Sequence, residues 1–365
     1  MHELTRRAML RSTGAAAAGL MLAPAIDAAT IGGATIEGAA IGDDAVLAHV
    51  APELRGSARE ILASAARTGP IDDASLPKIR VAAGASIAPP IAGVSVARRS
   101  VPGGRGQPAV GVYVINARPG MQRPAILHTH GGGFIIGEAR GDLADLQRLA
   151  RDLDCVVVTV EYRLAPETRW DGSVEDNYAA LRWLHAEATA LGVDRARIAV
   201  MGESAGGGHA ALLAIAARDR GEVPLVFQVL IYPMLDDRTG SAVMPPRFIG
   251  AIGWNGAANR YGWRAFLGVA PGSAQVPSQA VPARVADLRG LPPAFIAVGG
   301  VDLFVSEDMT YARRLTESGV ATEFLLVPGG YHGFDRAAPD TPQARQFTRA
   351  KIDALRRAFT SRAGG

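Results

Sequence analysis

Ser204 lies within Gly202-Glu203-Ser204-Ala205-Gly206, a G-x-S-x-G pattern. Such spacing suits a hydroxyl carried at the apex of a sharp strand-to-helix turn, where bulky neighbours would collide. The apolar run "RIAVM" precedes it and the helical pattern "AGGGHAALLAIAARDRG" follows, which is the context the turn requires. A helix starting directly beneath the hydroxyl would favour negative charge developing there. The five residues alone would also fit a plain glycine-rich turn; their flanks make Ser204 a candidate nucleophile.

A second glycine run, His130-Gly131-Gly132-Gly133, breaks the apolar "PAILH" stretch. Glycine carries a large backbone entropy cost and offers the core nothing to pack, but it leaves main-chain amides unshielded. Acyl transfer passes through a tetrahedral intermediate with a charged oxygen, and losing one pre-aimed N–H donor costs roughly 10²–10³ in rate. The run matches the HGGG-type loop that supplies such donors, which makes Gly132 and Gly133 the expected pair, joined by the amide of Ala205. A phosphate-binding loop is the rival reading. Neither run meets its spacing.

A serine hydroxyl needs a base, and the base needs a partner to hold its tautomer. The chain has seven histidines, of which only His209 and His332 follow Ser204. His209 falls five residues into the helix below the serine and reads as core or surface. His332, in the glycine-rich "LLVPGGYHGFD", can swing back toward the hydroxyl. For the acid, Asp302 follows an apolar run in "IAVGGVDLFVSED" and is preferred. Asp236 and Asp237 also satisfy the chain order but read as solvated or loop-capping carboxylates. Glu307 and Asp308 read as first-turn residues complementing a helix dipole. His130 reads as a brace for its loop. His128 and His130 form an H-x-H pair, but no further ligand cluster accompanies them at metal spacing, so no metal is expected.

The elements that must position these residues alternate along the chain. Eight strands are expected: "GVSVARRSVPG", "PAVGVYVINAR", "RPAILHTH", "CVVVTVEYR", "RIAVMG", "LVFQVLIYP", "PPAFIAVGG" and "ATEFLLVPG". The later ones are continuous apolar runs, as in strands covered on both faces. Helical patterns lie between them: "GDLADLQRLARDL", "SVEDNYAALRWLHAEATAL", the run after Ser204, and "SEDMTYARRLTESG". This alternation predicts an α/β architecture, a mostly parallel eight-stranded sheet with helices on both faces. The first two strands, joined by "VPGGRGQ", should form an antiparallel hairpin at one edge. An insertion over about 238–284, containing "WNGAANRYGWRAFLG", should lie over the carboxyl edge of the sheet, where such folds bind ligands. The stretch 30–90 reads as an N-terminal segment contributing to a helical cap, and 91–365 as the catalytic domain.

Residues 1–29 read as a transport signal: a basic start, a short apolar middle and a small-residue exit at Ala23-Pro24-Ala25. The adjacent Arg6 and Arg7 resemble the twin-arginine export signal, so the expected destination is the bacterial periplasm or the exterior. Of the net charge of +3, residues 1–25 supply +2 (Arg6, Arg7 and Arg11 against Glu3), leaving +1 for the rest. A near-neutral body argues against a nucleic-acid partner. The apolar stretch of the signal is too short for a stable membrane anchor. The single cysteine, Cys155, lies in an apolar run and excludes a disulfide within the chain. A homodimer is compatible with this composition.

Together "HGGGF" (130–134), "YRLAPE" (162–167), "GESAGG" (202–207), "DLFVSED" (302–308) and "YHGF" (331–334) resemble the hormone-sensitive-lipase-like branch of α/β-hydrolases, the bacterial family IV esterases. The resemblance runs from about Pro90 to the end of the chain. It implies an α/β-hydrolase fold with a small helical cap, a Ser204–Asp302–His332 triad, and the oxyanion donors named above. It also implies a small-molecule ester substrate, with short or medium acyl chains or aryl esters preferred, and no cofactor. Amide, carbamate or lactone hydrolysis would use the same parts, and a non-catalytic ligand-binding member of the fold is the alternative from another class. Two positions depart from the common pattern: Glu203 stands where Asp is usual, and Leu303 where many members carry Pro. Arg163 and Glu167 read as ions that lock the fold.

Overall fold

The computed structural model describes residues 42–104 and 106–360. The expected transport signal lies outside the described residues. Among them, no helix is long and apolar enough to cross a membrane.

Eight strands form one sheet: β1 (Val96–Val101), β2 (Val110–Ile115), β3 (Arg123–Thr129), β4 (Val156–Glu161), β5 (Val193–Glu203), β6 (Phe227–Ile231), β7 (Ala294–Gly299) and β8 (Thr322–Val327). Their order is β1-β2-β4-β3-β5-β6-β7-β8. β1 and β2 pair antiparallel, as the short link between them predicts, and β2 also runs antiparallel to β4; the remaining pairings are parallel. The helices are α1 (Asp43–Leu47), α2 (Arg55–Thr68), α3 (Leu76–Ala85), α4 (Leu143–Asp152), α5 (Trp170–Ala186), α6 (Ala188–Leu191), α7 (Ala205–Arg220), α8 (Gly256–Leu267), α9 (Val305–Glu317), α10 (Phe334–Ala337) and α11 (Pro342–Thr360).

The central strands are apolar throughout because both faces are covered. Every residue of β3, β6 and β7 is buried. One face packs Leu127, Val158, Val200, Leu230 and Ile296 under α5, α7 and α9. The other packs Ile126, Val157, Met201, Val229 and Phe295 under α2, α4 and α11. β8 departs from the expectation of two-sided cover. It reads as a continuous apolar run but is an edge strand, with Leu326 exposed. The helical pattern over 173–191 is likewise divided, into α5 and the short α6.

A third apolar cluster sits at the carboxyl end of the strands. It joins Leu76 and Ile79 of α3 to Phe134, Ile135 and Ile136 after β3. It also holds Trp254, Trp263 and Phe266 from the insertion, and Leu303 and Phe304 after β7. The described part of the stretch 30–90, residues 42–90, is therefore divided in its packing. Val46, Leu54, Ala58 and Ile61 join the main core beside α11, while α3 joins the cluster over the strand ends. The base of the insertion is closed by a buried ion pair, Arg284 Nε to Asp237 Oδ1 at 2.6 Å, and Asp237 Oδ2 also accepts the Gly272 N–H. This is the loop-capping role expected of Asp237, in a fully buried form.

Candidate active site

Ser204 occupies the turn between β5 and α7 with φ +57° and ψ −123°. A side chain held in that left-handed region costs on the order of 1–3 kcal/mol, so the surroundings must enforce it. They do so through the main chain: Ser204 N–H donates to Ile231 O at 2.9 Å, and Ser204 O accepts from Gly208 N–H at 3.1 Å and Met234 N–H at 2.9 Å. Gly206 explains the small flank. A Cβ there would sit 2.0 Å from Thr129 O, so the nucleophile turn and the end of β3 touch backbone to backbone.

The structure brings three of the expected side chains together. His332 Nε2 lies 2.9 Å from Ser204 Oγ, and His332 Nδ1 lies 2.8 Å from Asp302 Oδ2. A carboxylate only accepts, so Nδ1 carries the proton and Nε2 is left to accept from the hydroxyl. Asp302 Oδ1 accepts the Phe304 N–H at 2.9 Å, which fixes the carboxylate plane. Tyr232 and Phe304 meet the imidazole edge-on at 4.8 and 5.2 Å. Ser204 is 4%, His332 1% and Asp302 0% exposed, so the trio is shut away from bulk water.

The glycine loop lies beside the turn. Gly131 is close enough that a Cβ would stand 3.0 Å from Glu203 O. Gly132 and Gly133 take φ +119° and +58°, and a Cβ on Gly133 would overlap Trp254 at 2.1 Å. Ile135 and Ile136 both donate their N–H to Gly132 O, at 3.0 and 2.9 Å, closing a tight turn. Ala205 opens α7, so its N–H has no carbonyl one turn back within the helix.

The supporting residues follow the expectations in part. His130 braces the loop: its Nδ1 is 2.9 Å from Gly131 O, its ring stacks on Tyr162 at 4.1 Å, and Tyr162 OH donates to His130 O at 2.7 Å. His209 is buried, bonded through Nε2 to Ser173 Oγ at 2.9 Å and set edge-on to Phe134 and Tyr162. Arg163 grips Asp176 through two bonds of 2.8 Å, and Glu167 pairs with Arg80. Asp236 pairs instead with the exposed Arg238 and stays out of the trio.

Glu307 and Asp308 lie in the first turn of α9, as expected, and both are buried there. Glu307 Oε1 accepts the N–H groups of Leu235 and Asp236, at 2.7 and 3.1 Å, tying the exit of β6 to α9. Burial pushes both carboxyls well above the ordinary range. One expectation is corrected at His128, for which spacing offered no further ligands. Folding places ligand atoms of His128, Asp142 and Glu203 within 4.8 Å of one another. Those atoms are already engaged. His128 Nε2 is 2.7 Å from Glu203 Oε2, His128 Nδ1 is 2.9 Å from Thr159 Oγ1, and Arg336 meets Asp142 Oδ1 at 2.6 Å. Burial opposes charge on Glu203, but His128, Lys351 and Arg336 outweigh it and hold the carboxyl below its ordinary range. The longer side chain at 203 thus bonds His128 directly under the nucleophile turn.

Set beside known proteins, residues 126–336 match the family model described as the alpha/beta hydrolase fold. The esterase LipI of Mycobacterium tuberculosis is 35% identical over 244 residues, 64% of this chain and 73% of that protein. The ethyl acetate hydrolase of Pseudomonas putida is 32% identical over 244 residues, 65% of this chain and 74% of its own. Among solved structures, a bacterial heroin esterase superposes with a TM-score of 0.77 at 36% identity, covering 86% of this chain and 99% of that one. The chain belongs to the α/β-hydrolase fold family, in its hormone-sensitive-lipase-like branch. It is a hydrolase of the ester-cleaving class.

The site's support carries its own pH dependence. Burial lowers His130 to about 4 and His209 to about 3, so both fold in the neutral form. An unfolded histidine titrates near 6.5, so between that pH and the folded value the unfolded chain binds more protons. The stabilisation from keeping these rings neutral is fully present above about pH 6.5 and is lost as pH falls toward 4, at about 1.4 kcal/mol per pH unit and histidine. Denaturant unfolding from pH 7.5 to 4.5 should trace this decline, and His209→Asn should flatten it by close to one proton. An unchanged slope in that variant removes His209 from the account.

Proposed function

We propose that the protein is a serine carboxylic-ester hydrolase that works through an acyl-enzyme. The observation that carries this reading is the unbroken chain of contacts from Ser204 Oγ to His332 Nε2 and from His332 Nδ1 to Asp302 Oδ2, beside the Gly131–Gly133 loop. Ser204 Oγ attacks the ester carbonyl carbon while His332 Nε2 takes the hydroxyl proton. Asp302 stabilises the imidazolium so formed. The negative oxygen of the tetrahedral intermediate is held by the amides of Gly132, Gly133 and Ala205. Its collapse breaks the bond to the leaving alcohol, which receives the proton from His332. Water, deprotonated by the same imidazole, then attacks the acyl-serine, and the free acid leaves.

Esters with short or medium acyl chains, or with aryl alcohols, are the substrate class. The burial of Ser204 and His332 beneath α3 and the insertion supports small ligands, and the Trp254 indole against Gly133 supplies a flat apolar wall near the reacting centre. The mature chain should hydrolyse p-nitrophenyl acetate and butyrate, with kcat/KM falling steeply once the acyl chain outgrows the enclosure. Ser204→Ala should lose about 10⁴-fold or more in kcat while remaining folded. Equal rates for the wild type and Ser204→Ala would refute the assignment.

The segment 1–29 serves to export the folded chain through a twin-arginine route, on the strength of its Arg6-Arg7 pair and short apolar stretch. Arg6→Lys/Arg7→Lys should trap the precursor in the cytoplasm. Normal delivery of that double variant to the periplasm would exclude the route.

A further inference from the structure

The glycine loop does not hold its shape alone. Its carbonyls at Phe134 and Ile135 face away from the turn closed on Gly132 O and need donors of their own. Phe134 O accepts the Ala165 N–H at 2.9 Å. Ile135 O accepts from Arg80 Nε at 2.7 Å, a residue 55 positions earlier, on α3. The same guanidinium donates through one terminal nitrogen to Ala165 O at 2.7 Å, and it pairs with both oxygens of Glu167, at 2.6 and 2.9 Å. One planar fork therefore joins the glycine loop, the "YRLAPE" loop and the helix that covers the strand ends. A guanidinium suits this place because its donors diverge in a fixed plane, which a lysine ammonium cannot reproduce.

The helix carrying Arg80 is fastened on both sides of this fork. In the turn before it, Asp73 Oδ1 accepts from Tyr261 OH of α8 at 2.7 Å. On its inner face Leu76 and Ile79 pack with Ile135, Ile136 and Trp254. Apolar packing holds a helix against a surface without fixing its register to a fraction of an ångström. The two main-chain bonds of Arg80 do fix it, and the one to Ile135 O acts one residue beyond the "HGGGF" segment.

We propose that Arg80 is a positioning residue for the oxyanion loop, so that catalytic competence depends on α3 being docked. The inference rests on the ester-hydrolase reading for its effect on rate. Docking of α3 sets Ile135 O, and through the Gly132–Ile135–Ile136 turn sets the direction of the Gly132 and Gly133 amides. Glu167 holds the fork in its plane but touches neither main-chain carbonyl. The arginine and its ion-pair partner should therefore be separable.

The test uses the full chain with p-nitrophenyl acetate, comparing wild type, Ser204→Ala, Arg80→Met, Arg80→Lys and Glu167→Gln. Arg80→Met should lose about 10²-fold in kcat with KM within about threefold, the loss expected when one oxyanion donor is misdirected. Inhibition by a trifluoromethyl ketone, whose adduct with a serine carries the same oxyanion, should weaken by a similar factor. Amide hydrogen exchange over 131–137 should rise at least tenfold. Arg80→Lys should fall between Arg80→Met and wild type, and Glu167→Gln should keep kcat within about threefold. A folded Arg80→Met with unaltered kcat and ketone affinity overturns the proposal. So does an equal fall in Arg80→Met and Glu167→Gln with unaltered exchange over 131–137, which marks a merely structural ion pair. If Arg80→Met does not fold, the contrast between Arg80→Lys and Glu167→Gln decides in the same way. Absence of turnover in the wild type would instead refute the function proposed above, and the exchange comparison would still read the hold of Arg80 on the loop.

Discussion

The site depends on one contact, main chain against main chain, where the end of β3 meets the turn that follows β5. Any side chain at Gly206 would collide with Thr129 O, and one at Gly131 would press on Glu203 O. With nothing between them, two neighbouring strand ends deliver a hydroxyl and a row of amides to the same small volume. Parallel pairing of β3 with β5, from Ala125 opposite Ile198 to Thr129 opposite Gly202, sets the height of both. The price is a serine in the left-handed region and a loop of three successive glycines, two of them at positive φ. Hydrogen bonds to Ser204 from three directions and the Gly132 turn maintain that strain.

Around this contact the fold is organised as a vice. Below, the Glu203–His128 pair, with Thr159 beside it and the Arg336–Asp142 pair near it, fills the space under the turn with bonded polar groups. Beside it, the Glu307 carboxyl ties the exit of β6 to the helix that begins just after Asp302. Above, α3 and the insertion close over the strand ends, and the insertion is itself pinned at its base by Asp237 and Arg284. Tyr331, next to the base, donates its hydroxyl to Ser57 Oγ of α2 at 2.6 Å. The N-terminal segment thus touches the neighbourhood of both the base and the oxyanion loop, which links apolar closure of the site to the alignment of its reacting groups.

Much of this was legible in the sequence because its causes are local. A strand that must reverse into a helix with a serine at the apex demands small flanks, and "GESAGG" displays them. Amides that must stay bare demand consecutive glycines, and "HGGG" displays those. The chain order of serine, acid and base narrowed two histidines to His332. The illegible part consists of partners brought together from distant segments. Burial of Glu307 depends on two amides some 70 residues earlier, and nothing around "SED" distinguishes it from a solvated first turn. The approach of Asp142 to His128, and of Arg336 to Asp142, depends on how the start of α4 and the short α10 are carried to the ends of the strands. Arg80 leaves no signal at all in its Ala-rich stretch, since its acceptors are carbonyls, which carry no side-chain identity. The edge position of β8 is masked by its apolar half, Phe324 to Val327, in which the exposed Leu326 looks no different from its covered neighbours.

The central claim is that the hydroxyl of Ser204 is uniquely activated by its imidazole neighbour and its strained position. Its most direct test is covalent: incubate the protein with a p-nitrophenyl dialkyl phosphate and locate the label by mass spectrometry. The account predicts stoichiometric release of p-nitrophenol, a single phosphoryl group on Ser204, and a rate lowered by at least about 10³-fold in His332→Ala. A folded protein that takes no label, takes it on another residue, or reacts equally fast without His332 would contradict it.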